Sequence, residues 1–228
     1  MDAVGVVCEF DPLHRGHEAL LRRAGASGRP VVCAMSGNFT QRGGPACAEK
    51  FVRAEMAVRC GADLVAELPT PWAMATAEKF ADGGVGLLSR CGVKTLCFGS
   101  ECGDIDALWT AAEVLLRKDI HRAIRAEMDG GLSYAAARQG VLEREAGCGG
   151  LLAQPNNTLA VEYLKAIRRR GLAADAITVR REDGGHHGAA SASRIRALLA
   201  AGQAADAFSL MPPAAAGILG REMQKGLA

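Results

Sequence analysis

Ala3-Val4-Gly5-Val6-Val7-Cys8-Glu9-Phe10-Asp11-Pro12-Leu13-His14-Arg15-Gly16-His17 joins an apolar, valine-rich run to a loop of turn formers and polar side chains. The run shows no apolar–polar alternation, which is the pattern of a strand buried on both faces. Residues 16–26 then place Ala19, Leu20 and Ala24 at helical spacing, and residues 30–35 form a second buried run, completing a βαβ unit. The alternation continues: helix over 46–60, strand over 63–67, helix over 73–91, strand over 94–98. Strands alternating with helices predict an α/β fold with an open parallel sheet and right-handed crossovers.

Residues 104–147 read as helix after helix, broken near Asp129-Gly130-Gly131, with no strand among them. Pro155-Asn156-Asn157-Thr158 starts another helix, with Asn or Thr available to cap it, and Arg168-Arg169-Arg170 at its end suits the helix dipole or an RNA contact. A fifth strand over 175–179, a polar Gly-rich loop over 180–190 and a helix over 191–201 follow. The expected organisation is an α/β core of residues 1–103 and 150–205, a helical insertion of residues 104–149, and a C-terminal tail of residues 206–228 whose pattern is ambiguous.

The bulk numbers agree with a globular chain. Of 228 residues, 49% are hydrophobic and 23% charged, enough apolar material for a full core. Lys and Arg number 27 against 25 Asp and Glu; a net charge of +2 makes no basic field, so any RNA must be held by local patches. The N-terminus has no signal-like segment and no apolar stretch reaches the roughly 18 residues of a membrane span, so a cytoplasmic location without membrane attachment is expected. The eight cysteines contain no CxxC pair and read as reduced core thiols, Cys91, Cys97 and Cys102 being grouped in sequence; no metal site is expected.

Ligands of open parallel sheets gather at the carboxyl ends of the strands, where the unusual residues of this chain lie. His14 and His17 sit one turn apart at the start of a helix, placed to hydrogen-bond phosphate oxygens; Gly16 permits close backbone approach and Pro12 stiffens the turn. Ser191-Ala192-Ser193-Arg194-Ile195-Arg196 opens a second helix after the fifth strand, with hydroxyls, backbone N–H groups and Arg196 as a second anion cradle. The plainer alternatives are a polar first turn and a serine cap. Lys50 and Arg53 lie one turn apart and can face one pocket, or form an exposed helix face; Ser36 and Asn38 can line an acceptor site, or form an ordinary turn.

The two cradles together resemble the nucleotidylyltransferase superfamily, with its HxGH loop and a late serine–arginine segment; Ala192 and Ser193 stand where Ser and Thr are common. Longer stretches resemble the bacterial tRNA(Met) cytidine acetate ligases: residues 4–12, Met35-Ser36-Gly37-Asn38-Phe39-Thr40-Gln41-Arg42-Gly43, Lys50, Arg53-Ala54-Glu55-Met56-Ala57, residues 61–69, Phe98-Gly99-Ser100-Glu101 and residues 155–163. The resemblance implies a Rossmann-like sheet of the HUP/nucleotidylyltransferase type, five-stranded and parallel, with flanking helices. It implies ATP-dependent activation of acetate to acetyl-adenylate, Mg²⁺ bound through the phosphates, and acetyl transfer to N4 of the wobble cytidine of elongator tRNA(Met).

Carried over residue by residue, His14, His17, Ser191 and Arg196 are catalytic. Val7, Cys8, Glu9, Phe10, Asp11, Pro12, Leu13, Gly16, Leu20, Gly99, Asn156, Asn157 and Arg181 hold ATP, and Ser36, Asn38, Lys50 and Arg53 are candidates for the acceptor or phosphate. Asp11 replaces a common Asn, and Glu182-Asp183-Gly184-Gly185-His186-His187 departs from the family's usual stretch. The chain ends soon after Arg196, where family members carry a C-terminal region that helps hold tRNA, so tRNA binding is in question. The alternatives are an adenylyltransferase with another small acceptor, or a non-catalytic nucleotide- or RNA-binding descendant.

Overall fold

The computed structural model describes residues 2–181 and 190–226. Most of the expected polar loop before Ser191, including Glu182 to His187, lies outside the described residues, as do Met1 and the last two positions of the expected tail. Strands β1 (Ala3–Cys8), β2 (Val31–Ser36), β3 (Leu64–Leu68), β4 (Val93–Ser100) and β5 (Asp175–Arg180) form one sheet in the order β3-β2-β1-β4-β5. Every pairing is parallel. The five-stranded parallel α/β sheet is therefore as the sequence predicts.

Side-chain alternation divides the core between the two faces of the sheet. Val32, Ala34, Leu96 and Phe98 point to one side, toward α4 (Ala77–Arg90), α5 (Ile105–Leu116), α6 (Lys118–Asp129), α7 (Tyr134–Ala146) and α8 (Pro155–Arg169). Val4, Val6, Cys33 and Met35 point to the other, toward α1 (Arg15–Gly25), α2 (Lys50–Arg59), α9 (Ala192–Ala200), α10 (Ala204–Ser209) and α11 (Pro213–Gln224). Gly84 of α4 lies against β1, where a Cβ atom would come 2.8 Å from both Val7 methyl groups. Helices α5–α7 occupy the segment read as an insertion, and Leu108, Ile124 and Leu142 share a hydrophobic cluster with Phe98 and Tyr163. In the ambiguous tail, Ala207, Met211, Ala215, Ile218 and Leu219 are buried in the cluster of the other face.

Three local expectations need correction. The helix expected from residue 46 begins at Lys50, because residues 46–49 run under the first loop, where Cys47 N donates to Asp11 Oδ1 at 2.6 Å. The helix expected over 73–91 is two: α3 (Thr70–Ala73) closes on Pro69, and α4 starts again at Ala77, with Trp72 folded onto Gly83. The start of α8 is not capped by its own Asn or Thr. Glu101 supplies the carboxylate, accepting from Asn156 N at 3.2 Å and Asn157 N at 2.8 Å. The three arginines ending α8 and following it pair with acids on other helices: Arg168 with Glu113, Arg169 with Glu78 and Arg170 with Asp82. All eight cysteines are free thiols, with Cys97 buried in the sheet and pushed up to about 11 by that burial.

Candidate active site

The chain leaves β1 for β2 on one side and later returns to lay β4 on the other, so the carboxyl ends of β1 and β4 border a crevice. A cleft of roughly 430 Å³ opens there. Its lining comes from the end of β1 and the β1–α1 loop, residues 40–42 after β2, the end of β4, the first turns of α4 and α9, the first half of α8, and Arg181 beyond β5.

The β1–α1 loop is tightly built. Phe10 is fully buried with φ 48°, in the left-handed region where a side chain is strained, and the following Asp11–Pro12 peptide is cis. His14 caps α1, its Nδ1 accepting from Gly16 N at 3.1 Å, and His17 Nδ1 accepts from His14 N at 3.4 Å, a reciprocal capping box built from two imidazoles. The rings stack with centroids 3.7 Å apart, and Phe10 meets His17 edge-on at 5.1 Å. Because both Nδ1 atoms accept, both Nε2 atoms carry the proton as donors. Burial lowers His14 to about 4, helped by the positive charge of Arg181; burial lowers His17 well below its ordinary value, with His14 and Arg181 adding to it. Near neutral pH the pair is uncharged, a pre-set couple of N–H donors.

The late segment closes the cleft. Ser191 caps α9, its Oγ accepting from Arg194 N at 3.3 Å while its own O–H remains a donor. Arg196 Nη1 lies 3.0 Å from Asp11 Oδ2 and also donates to Asp11 O, so the two cradles touch. Arg181 rests its stem across Gly99, where a Cβ atom would sit 3.4 Å from Cγ. Glu9 accepts from Gln41 N at 2.6 Å, and burial raises its carboxyl. The assembly offers neutral imidazole donors, the three guanidinium groups of Arg42, Arg181 and Arg196, and helix starts around one space, chemistry that suits a polyphosphate.

Residues 1–227 match the model of the HIGH Nucleotidyl Transferase family. The chain belongs to that family. It is 42% identical to the tRNA(Met) cytidine acetate ligase of Syntrophotalea carbinolica, over 96% of this chain and 55% of that protein. It is 39% identical to the ligase of the same name from Bacillus licheniformis, over 93% of this chain and 55% of the relative. A crystal structure of Thermotoga maritima TmcAL bound with alpha-thio ATP superposes with a TM-score of 0.92 at 34% identity, covering all of this chain and 57% of that one. The chain thus spans about half the length of the curated relatives it matches.

In this HIGH nucleotidyl transferase the cleft gathers much of the expected set: Val7, Cys8, Glu9, Phe10, Asp11, His14, His17, Leu20, Gly99, Asn156, Arg181, Ser191 and Arg196. Pro12, Leu13 and Gly16 shape the loop without lining the cleft, Leu13 being wholly buried. Asn157 spends its side chain internally, accepting from Glu101 N and Cys102 N and donating to Leu151 O.

The four acceptor candidates, Ser36, Asn38, Lys50 and Arg53, lie outside the lining of this cleft. Lys50 pairs with Glu67 at 2.7 Å, Asn38 accepts from Lys50 N, and Ser36 is wholly buried. Arg53, also wholly buried, donates to the carbonyls of Ala48, Glu9, Ser36 and Gly37, clasping three loops from beneath. The sequence reading assigned no role to the apolar wall of Phe80, Phe98, Leu159 and Tyr163, whose helical and strand spacing is that of ordinary core. Phe98 and Tyr163 stand 5.7 Å apart at a tilt.

Proposed function

We propose that this chain activates acetate with ATP and passes the acetyl group to N4 of the wobble cytidine of elongator tRNA(Met), in the cytoplasm. The observation that carries the reading is the meeting of the His14–His17 donor pair with the Ser191–Arg196 turn in one cleft. An acetate oxygen attacks the α-phosphorus of ATP in line; the bond from that phosphorus to the bridging oxygen breaks, and pyrophosphate leaves. The Nε2–H groups of His14 and His17 meet charge developing on the phosphoryl oxygens, where fixed donors are most effective. Arg196 and Ser191 take the β and γ phosphates, and Arg181 with Gly99 and Asn156 borders the nucleoside. In the second step N4 attacks the acetyl carbonyl, AMP departs and N4 loses a proton.

When bound through the phosphates, Mg²⁺ would supply charge neutralisation on their oxygens. The donor set fits that mode: Asp11 is committed to Arg196 and Cys47 N, Glu9 to Gln41 N, and no cluster of three His, Cys, Asp or Glu among the described residues is arranged to hold an ion by itself.

The deciding experiment is acetate-dependent pyrophosphate release from ATP and Mg²⁺, with and without elongator tRNA(Met), beside His17→Ala. Release that His17→Ala abolishes, with acetyl on the tRNA, is the expected result. Release without transfer restricts the chain to activation, release only with another acceptor makes it an adenylyltransferase of different substrate, and ATP binding without release makes it a binding protein.

A further inference from the structure

A second cavity, of roughly 270 Å³, lies away from the cleft among α4, α6, α7 and α8. The two spaces share walls: Ala77 and Phe80 of α4 face the cleft while Glu78 faces the cavity, and Tyr163 of α8 faces the cleft while Lys165 and Arg169 face the cavity. The lining is rich in cations, with Arg125, Arg138, Lys165 and Arg169 beside His121, against Glu78, which is bound to Arg169, and Glu162 beneath Arg138 and Lys165. His121 is occupied by Leu115 O at 2.8 Å.

The floor is a buried triad. Glu162 lies between Arg138 Nη2, at 2.5 Å, and Lys165 Nζ, at 2.8 Å, and all three residues are at least 93% buried. Two cations on one carboxylate leave an excess positive charge in a poorly hydrated place, which is costly without a counter-anion. Burial lowers the proton affinity of Lys165 against the pull of Glu162, with the charge of Arg138 adding to the lowering and Glu78 opposing it. Arg138 Nε is buried and has no hydrogen-bond partner among the described residues, and Arg125 at the rim forms no ion pair among them. Tyr134 also lines the cavity and is 49% exposed, as is Met128 at 41%.

We propose that this cavity binds the phosphate of a nucleotide, with Arg138 and Arg125 as phosphate donors and the Tyr134 ring as a shelf for the base. Glu162 holds Arg138 Nη2, so the unpartnered Nε–H is the donor left for a phosphate oxygen, and base stacking on an exposed ring is indifferent to which base is present. The nucleotide is either free or one unit of an RNA strand; the recognition chemistry is the same.

The test is side-chain NMR of the arginine Nε–Hε groups in the full chain, with a non-hydrolysable ATP analogue filling the cleft. The probes are inorganic phosphate, uridine monophosphate and a short oligouridylate. Uridine monophosphate is expected to move the Arg138 signal, and Arg125→Ser, a change at an exposed position, to weaken it about tenfold. Tyr134→Leu is expected to weaken uridine monophosphate while sparing inorganic phosphate. Tighter binding of oligouridylate than of the mononucleotide identifies the RNA strand as the source, and equal binding identifies the free nucleotide. An Arg138 signal that no probe moves overturns the proposal, as does a response identical in Arg125→Ser; indifference to Tyr134→Leu overturns the base shelf.

Discussion

Arg196 Nη1 sits 3.0 Å from Asp11 Oδ2, tying the start of α9 to the loop after β1. The other oxygen of Asp11 takes Cys47 N, so one carboxylate joins three distant segments beside the cleft. Removing the guanidinium leaves that carboxylate facing the space where we place the phosphates. Arg196→Ala is expected to slow pyrophosphate release by about 10²–10³-fold, the scale of losing one fixed transition-state donor, and to weaken ATP binding. Arg196→Lys, a single point charge lacking the planar fork, should restore only part of it. Steady-state release assays with ATP-binding calorimetry measure both, and an Arg196→Ala enzyme with unaltered rate contradicts the assignment.

The stacked histidines predict a pH dependence of stability. An unfolded histidine titrates near 6.5, whereas burial holds folded His14 at about 4 and His17 well below its ordinary value. Between those values the unfolded chain binds more protons, so stability rises with pH through that window and levels off above it. For His14 alone the change is on the order of 3 kcal/mol from acid to neutral. Urea unfolding at a series of pH values should show that slope, reduced in His14→Gln; a flat profile in the wild-type chain contradicts it.

Arg53 is expected to matter more for stability than for direct phosphate contact. Its truncation to Met leaves the buried carbonyls of Ala48, Glu9, Ser36 and Gly37 without their donor. The expected cost is about 3–5 kcal/mol, read as a lowered denaturation midpoint, and Arg53→Lys should recover little because an ammonium cannot span the same set.

Gly84→Ala tests the seat of α4 on β1. The new methyl would meet Val7 at 2.8 Å, for an expected loss of about 1–3 kcal/mol. Adding Val7→Ala removes the clash, so the double variant should lose less than the two single losses together. Strict additivity in chemical denaturation is the opposing result.

Much of the fold was legible because each central strand carries an unbroken apolar run and each crossover helix an apolar stripe. The edges of elements were not. Nothing in the sequence of α8 announces that Glu101, more than fifty residues away, caps it, since caps supplied across space leave no local pattern. In the cleft, His14, His17 and Arg196 stood out because polar groups at strand ends have little packing use. Lys50 and Arg53 were read together from their spacing, but Lys50 is the first residue of α2 and reaches out to Glu67, while Arg53 one turn on is drawn inward by the carbonyls of the loops. The Phe98–Tyr163 wall looked like core because, apart from its one open side, it is core.

The clasp between Asp11 and Arg196 also sets an order in time. These residues are 185 positions apart, and a ribosome adding about 5–20 residues per second delivers the arginine roughly ten to forty seconds after the aspartate. Until then the histidine-bearing half has emerged but lacks its counterpart. The contact between the two halves of the cleft therefore forms only after all five strands have been made.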